Sequence, residues 1–123
     1  MFKEITIIGG AGHVGFAFAL ICASKNIKVH IHDINKNSLE LIKKCKLPHK
    51  ENNAMPILKK ALKNKLFTYS SNFNDLKLNK INLVCLGTPI DEFLNPKHKD
   101  ILTLFKKLNN KLNNNQHIII RST

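Results

Sequence analysis

Twenty consecutive residues, Ile5 to Ser24, contain no Asp, Glu, Lys or Arg, a run long enough to cross a bilayer. Its centre argues against that use. Gly9, Gly10, Gly12, Gly15 and His13 stand where a spanning helix or a signal sequence would place leucines. The residues before the glycines are β-branched, and those after them are mostly Ala, Phe and Leu. The segment therefore reads as a short strand, a tight turn and a buried helix of a soluble protein, with no membrane element.

The same alternation continues along the chain. Strands are expected at Glu4 to Ile8, Ile27 to Asp33, Leu66 to Tyr69, Ile81 to Leu86 and His117 to Arg121. Helices are expected at Val14 to Ser24, around Ser38 to Lys46 (closed by Pro48), and at about Met55 to Asn64. A further helix follows a Thr88 to Lys99 loop, where Ile101, Leu104, Phe105, Leu108 and Leu112 recur at helical spacing. Ser70 to Lys80 reads as polar connection. Alternating strands and helices at these lengths give an α/β fold, a doubly wound parallel sheet of the Rossmann type with helices on both faces. The expected strand order is 3-2-1-4-5, truncated after the fifth strand. No internal repeat or linker interrupts 1–123.

Within this frame, Gly10-Ala11-Gly12-His13-Val14-Gly15 acquires a meaning that six residues alone would lack. It follows a strand, opens a helix, and lies in a βαβ unit whose second strand ends in an acid, Asp33, 21 positions after Gly12. In such a unit Gly10 is expected to permit the turn, Gly12 to let backbone approach a pyrophosphate, and Gly15 to allow close helix packing. The N–H groups near His13 and Val14 would face the phosphates at the positive end of the helix dipole. Asp33 would accept hydrogen bonds from the adenosine ribose and repel a 2′-phosphate, which makes NAD the expected cofactor.

Other candidates have plainer readings. His30 and His32 share one strand face, but no third metal ligand is visible, so they read as satisfied or edge histidines rather than a metal site. Asp91 and Glu92 are adjacent carboxylates in a loop, which are more often solvated than catalytic. Cys22, Cys45 and Cys85 have neither zinc nor disulfide spacing and fall in apolar elements. The formal charge of +12 brings nucleic acid to mind. It derives from 19 lysines and a single arginine, accompanied by 16 asparagines and 15 isoleucines, which is the mark of a general compositional bias. A specific nucleic-acid groove would show clustered arginines interleaved with aromatics.

Three stretches, Gly9 to Val14, Gly87-Thr88-Pro89-Ile90-Asp91-Glu92 with Asn95-Pro96, and Ile119-Ile120-Arg121-Ser122-Thr123, resemble the nucleotide-sugar dehydrogenase family. This is the UDP-glucose and GDP-mannose dehydrogenase family, which oxidises the C6 alcohol of a sugar nucleotide to a carboxylate with two NAD. The motifs are most similar to those of bacterial members acting on UDP-N-acetylhexosamines. The resemblance implies that Thr88 and Pro89 lie along the dinucleotide, and that Asp33 is the ribose-binding acid. It also implies that Thr123 sits beside the nicotinamide and helps position a water, which makes it the one catalytic candidate. Two positions depart from the pattern: Ala17 replaces a common proline, and Ser38 stands where many members carry a basic residue.

The family's nucleophilic cysteine, its catalytic lysine and aspartate, the central helix and the sugar-nucleotide domain would all lie beyond residue 123. The chain is therefore expected to be an incomplete NAD-binding domain, inactive by itself. Its parent would be a cytoplasmic, homo-oligomeric enzyme of polysaccharide biosynthesis taking a UDP-sugar. The competing readings are the NAD-binding part of a hydroxy-acid dehydrogenase and a non-catalytic dinucleotide- or nucleic-acid-binding module.

Overall fold

The computed structural model describes residues 3–50, 53–85 and 98–121. Five strands, β1 (Glu4–Ile8), β2 (Lys28–His32), β3 (Phe67–Ser70), β4 (Ile81–Val84) and β5 (His117–Ile120), form one sheet in the order β3-β2-β1-β4-β5. Every neighbouring pair is parallel, with Ile8 opposite both His32 and Val84. The helices are α1 (His13–Ser24), α2 (Lys36–Lys43), α3 (Ala54–Lys63) and α4 (His98–Lys111), with a short 3-10 turn at Phe73–Asp75. The doubly wound topology expected from the alternation of elements is the one observed.

Strand alternation sorts the side chains onto two faces. Ile7, Val29, Ile31, Phe67 and Cys85 point toward α1, α2 and α3, where Phe16, Ala19, Leu39, Ile42 and Leu58 complete the larger core. Ile8 and Val84 point the other way and meet Leu76 and Leu108, with Phe73, Leu104, Phe105 and Ile118 around them. The chain between β3 and β4 holds only the 3-10 turn, in keeping with the polar connection expected at Ser70 to Lys80, and α4 packs on the second face through Leu108.

Three helices stop in the same way. Asn26, Cys45 and Lys65 take left-handed φ of 62°, 60° and 54°. The next residue's N–H then reaches back to the last turn: Ile27 to Cys22 O at 3.0 Å, Lys46 to Leu41 O at 2.8 Å and Leu66 to Ala61 O at 3.0 Å. For α2 this closure falls at Lys43, three residues before the expected end and well ahead of Pro48. A left-handed residue other than glycine gave no signal for it.

Candidate dinucleotide site

The glycine turn is built from the end of β1, the start of α1 and the end of β2. Both the Gly9 and Gly10 N–H groups donate to the His32 carbonyl, at 2.8 and 3.2 Å, so the chain leaves β1 still attached to β2. Gly12 N–H then turns back to Gly9 O at 3.1 Å, and Phe16 N–H starts the helix on Gly12 O at 2.9 Å.

One glycine works differently from the expected scheme. The left-handed conformation falls on Gly9, with φ 84°, not on Gly10. Gly10 is needed for room: a Cβ there would lie 2.8 Å from Ile31 Cγ2 and 3.0 Å from Ile7 O. At Gly15 a Cβ would sit 2.2 Å from Gly9 O and 2.9 Å from Gly10 Cα, an overlap with backbone that cannot swing away. Gly12 is the open position, where a Cβ would meet only Gly9 O at 3.3 Å. Its extended backbone caps α1 without a side chain, and the first helical turn carries no acid. The positive end of α1 is thus faced by bare backbone, which suits a phosphate group.

Asp33 follows the last residue of β2 and is partly exposed. Its Oδ2 accepts from Ala11 N–H at 3.0 Å and its Oδ1 from Asn35 N–H at 2.9 Å. One acid therefore fixes the glycine turn and the entry to α2, and each oxygen keeps a lone pair for a further donor. Asn35 caps α2 by accepting from Ser38 N–H at 3.1 Å. The structure brings Gly10, Gly12, His13, Val14, Gly15 and Asp33 together at the carboxyl end of the sheet, where ligands bind in this class of fold. Thr88, Pro89, Asp91, Glu92, Ser122 and Thr123 lie outside the described residues.

His49, from the loop between α2 and α3, was not singled out by any motif. Its Nε2–H donates to Ala11 O at 3.1 Å, and its ring meets His13 edge-on with centroids 5.4 Å apart. A lone histidine after a proline offers no sequence signal for this role.

His30 and His32 are buried and satisfied. His30 Nδ1 lies 2.8 Å from Thr68 Oγ1 and its Nε2 2.9 Å from Ser70 Oγ, which is also 2.6 Å from His32 Nδ1. The serine has one proton, so it donates to one ring and accepts from the other. Burial, the neighbouring His32 and Lys77 together push His30 down to about 4, against the opposing pull of Glu4. Burial likewise lowers His32, with Asp33 opposing and Lys111 adding to the shift. Among the described residues no group of three or more His, Cys, Asp or Glu side chains converges as a metal site.

Cys22 and Cys85 are held toward the thiol form. Burial raises the Cys22 thiol, and it raises that of Cys85 against the opposing charge of Arg121. One placement differs from expectation: Cys85 lies just past β4, at the ligand-binding edge of the sheet, rather than within the strand. Its side chain is nonetheless buried in the larger core, because alternation puts it, like Leu83, on the face covered by α1. The exposed Lys107 and Lys111 stand 5.8 and 5.4 Å over the Phe73 ring. No helix among the described residues is long and apolar enough to cross a membrane.

Solved structures share this fold over nearly the whole chain. GDP-mannose dehydrogenase from Pseudomonas aeruginosa superposes with a TM-score of 0.83 at 19% identity, covering 99% of this chain and 28% of that one. UDP-D-ManNAc dehydrogenase from Pyrococcus horikoshii gives 0.83 at 22% identity, covering 98% and 28% respectively. (S)-3-hydroxybutyryl-CoA dehydrogenase from Ralstonia eutropha fits more loosely, with a TM-score of 0.59 at 19% identity, covering 98% of this chain and 41% of that one. This chain thus spans under a third of the length of the two nucleotide-sugar enzymes. No curated protein sequence matches it significantly. The family profile described as "UDP-glucose/GDP-mannose dehydrogenase family, NAD binding domain" matches residues 3–123, from the start of β1 through the end of β5. A strand-turn-helix with a bare N-terminus and an acid at the next strand end is what such a domain needs, and the chain belongs to this family as its NAD-binding domain.

Proposed function

We propose that this chain is the cofactor-binding part of a cytoplasmic, homo-oligomeric dehydrogenase that oxidises the C6 alcohol of a UDP-sugar to a carboxylate for polysaccharide synthesis. The observation that carries the reading is the open Gly12 at the uncapped start of α1, with Asp33 beside it. In this reading the backbone of Gly10, Gly12, His13, Val14 and Gly15 receives the pyrophosphate, and Asp33 binds the adenosine ribose. Thr88 and Pro89 lie along the dinucleotide, and Thr123 stands near the nicotinamide to orient water. NAD supplies hydride acceptance, twice per sugar, with one water consumed to make the acid. The Asp33 carboxylate favours NAD over NADP by about 2–3 kcal/mol, or roughly 30- to 150-fold, because a 2′-phosphate would meet like charge.

The Gly-Thr-Pro-Ile-Asp-Glu stretch at 87–92 favours a UDP-N-acetylhexosamine as the sugar nucleotide. The cysteine that would carry the oxidised sugar as a thioester comes from outside 1–123: burial raises the thiols of Cys22 and Cys85, and Cys45, past the end of α2, turns its thiol to Met55 Sδ at 3.9 Å. The test is NADH release from UDP-glucose, UDP-N-acetylglucosamine and UDP-N-acetylmannosamine by the full-length polypeptide carrying this domain. Turnover of at least one is expected. Oxidation of hydroxy acids with none of the three sugars used would replace this reading with the hydroxy-acid alternative.

A further inference from the structure

The Ala11–Gly12 peptide occupies the middle of the glycine turn, and its orientation decides which way the backbone amides of the turn face. Gly12, which follows it, has the conformational freedom to let that peptide rotate. Three hydrogen bonds hold the region. Asp33 Oδ2 accepts from Ala11 N–H at 3.0 Å, and Gly9 O accepts from Gly12 N–H at 3.1 Å. The third comes from outside the βαβ unit: His49 Nε2–H donates to Ala11 O at 3.1 Å. The Ala11–Gly12 peptide is thus gripped at both ends, its carbonyl by His49 and its N–H by Gly9. The His49 ring is in turn half-buried and set edge-on to His13, with an interplanar angle of 86°. Its Pro48 neighbour restricts the loop that delivers it.

We propose that His49 is a positioning residue for the dinucleotide, locking the Ala11–Gly12 peptide so that the turn meets a pyrophosphate already in its binding conformation. The proposal rests on the reading that this turn holds the pyrophosphate. Its physical basis is preorganisation: a glycine turn free to rotate must be ordered when the ligand arrives, and that cost comes out of affinity. The donor is an N–H, so a glutamine at the same position retains it through its amide nitrogen.

The experiment is titration of NAD and of adenosine, which lacks the pyrophosphate, into the 123-residue chain and its His49→Ala and His49→Gln variants, with thermal melts of all three. The loss of one neutral hydrogen bond is expected to weaken NAD binding about five- to tenfold in His49→Ala. Adenosine binding should stay within about twofold, and His49→Gln should restore NAD binding to a similar margin. Unchanged NAD affinity in His49→Ala overturns the proposal, as does an equal loss for adenosine accompanied by a lower melting temperature, which would mark a merely structural contact. Failure of the unsubstituted chain to bind NAD would instead remove the reading of the turn itself, and the proposal with it.

Discussion

Toward α1, α2 and α3, β2 presents Val29 and Ile31, both fully buried; toward the opposite face the alternating residues are His30 and His32. The neighbouring strands repeat the contrast. Phe67 and Tyr69 of β3 join the apolar cluster, while Thr68 and Ser70 hydrogen-bond to the histidines. On β1, Ile7 packs under α1, whereas Thr6 Oγ1 donates to Lys77 O at 2.5 Å and accepts from Asn79 at 2.8 Å. One side excludes water with hydrocarbon, while the other combines a smaller apolar cluster around Leu108 with polar groups satisfied one by one. The difference follows from the connections: helices from two crossovers cover the first face, while the second receives α4 and, from the β3–β4 connection, only a 3-10 turn with Phe73, Leu76 and Leu78. The glycine turn is anchored in the apolar side, through Gly10 against Ile31 and Gly15 against the turn backbone, which gives the site a rigid base.

Truncation at the centre of the apolar side has the largest expected effect. Phe16 is 0% exposed, and Phe16→Ala should lower stability by about 3–5 kcal/mol in denaturant titration. A cost under about 1 kcal/mol would mean that this side does not carry the fold. The polar side should reveal itself through pH. His30 is neutral in the fold, held near 4, while the unfolded chain titrates near 6.5. Between these values the unfolded state binds more protons, so stability is full above pH 6.5 and is lost as pH falls toward about 4. The loss should reach about 3 kcal/mol, the order set by that displacement and the histidine's 4% exposure. Denaturant midpoints measured across this window, in the protein and in His30→Gln, check it. A slope that persists unchanged in the variant would assign the acid sensitivity elsewhere.

Much of this was legible in the order of residues. The periodicity of β-branched and apolar runs located all five strands within two residues at each end, and with them the parallel sheet. The glycine spacing and Asp33 pointed to the turn because each element needs its neighbours at fixed offsets. What the sequence hid were effects of tertiary contact. That Gly9 rather than Gly10 takes the left-handed conformation depends on both N–H groups sharing the His32 carbonyl. That Cys85 lies beyond its strand, yet faces the core, depends on where pairing with β1 stops. His49 reaches the turn from 38 residues away, and no local pattern encodes such a contact.

The smallest expected stability effect belongs to Gly12, the open position of the glycine turn. Gly12→Ala places a Cβ 3.3 Å from Gly9 O and in contact with nothing else, at a φ of −76° that alanine tolerates. The mild crowding is offset by the lower entropy of the unfolded alanine chain, so stability should change by less than about 1 kcal/mol. In the proposed reading, the same methyl group would stand where backbone approaches the pyrophosphate. Calorimetric titration of NAD into the protein and into Gly12→Ala therefore separates binding from folding. Saturable NAD binding, with NADP weaker, is expected in the unsubstituted chain, and its loss is expected in a variant that melts at an unchanged temperature. Equal NAD affinity in the two proteins would contradict the placement of the cofactor at this turn.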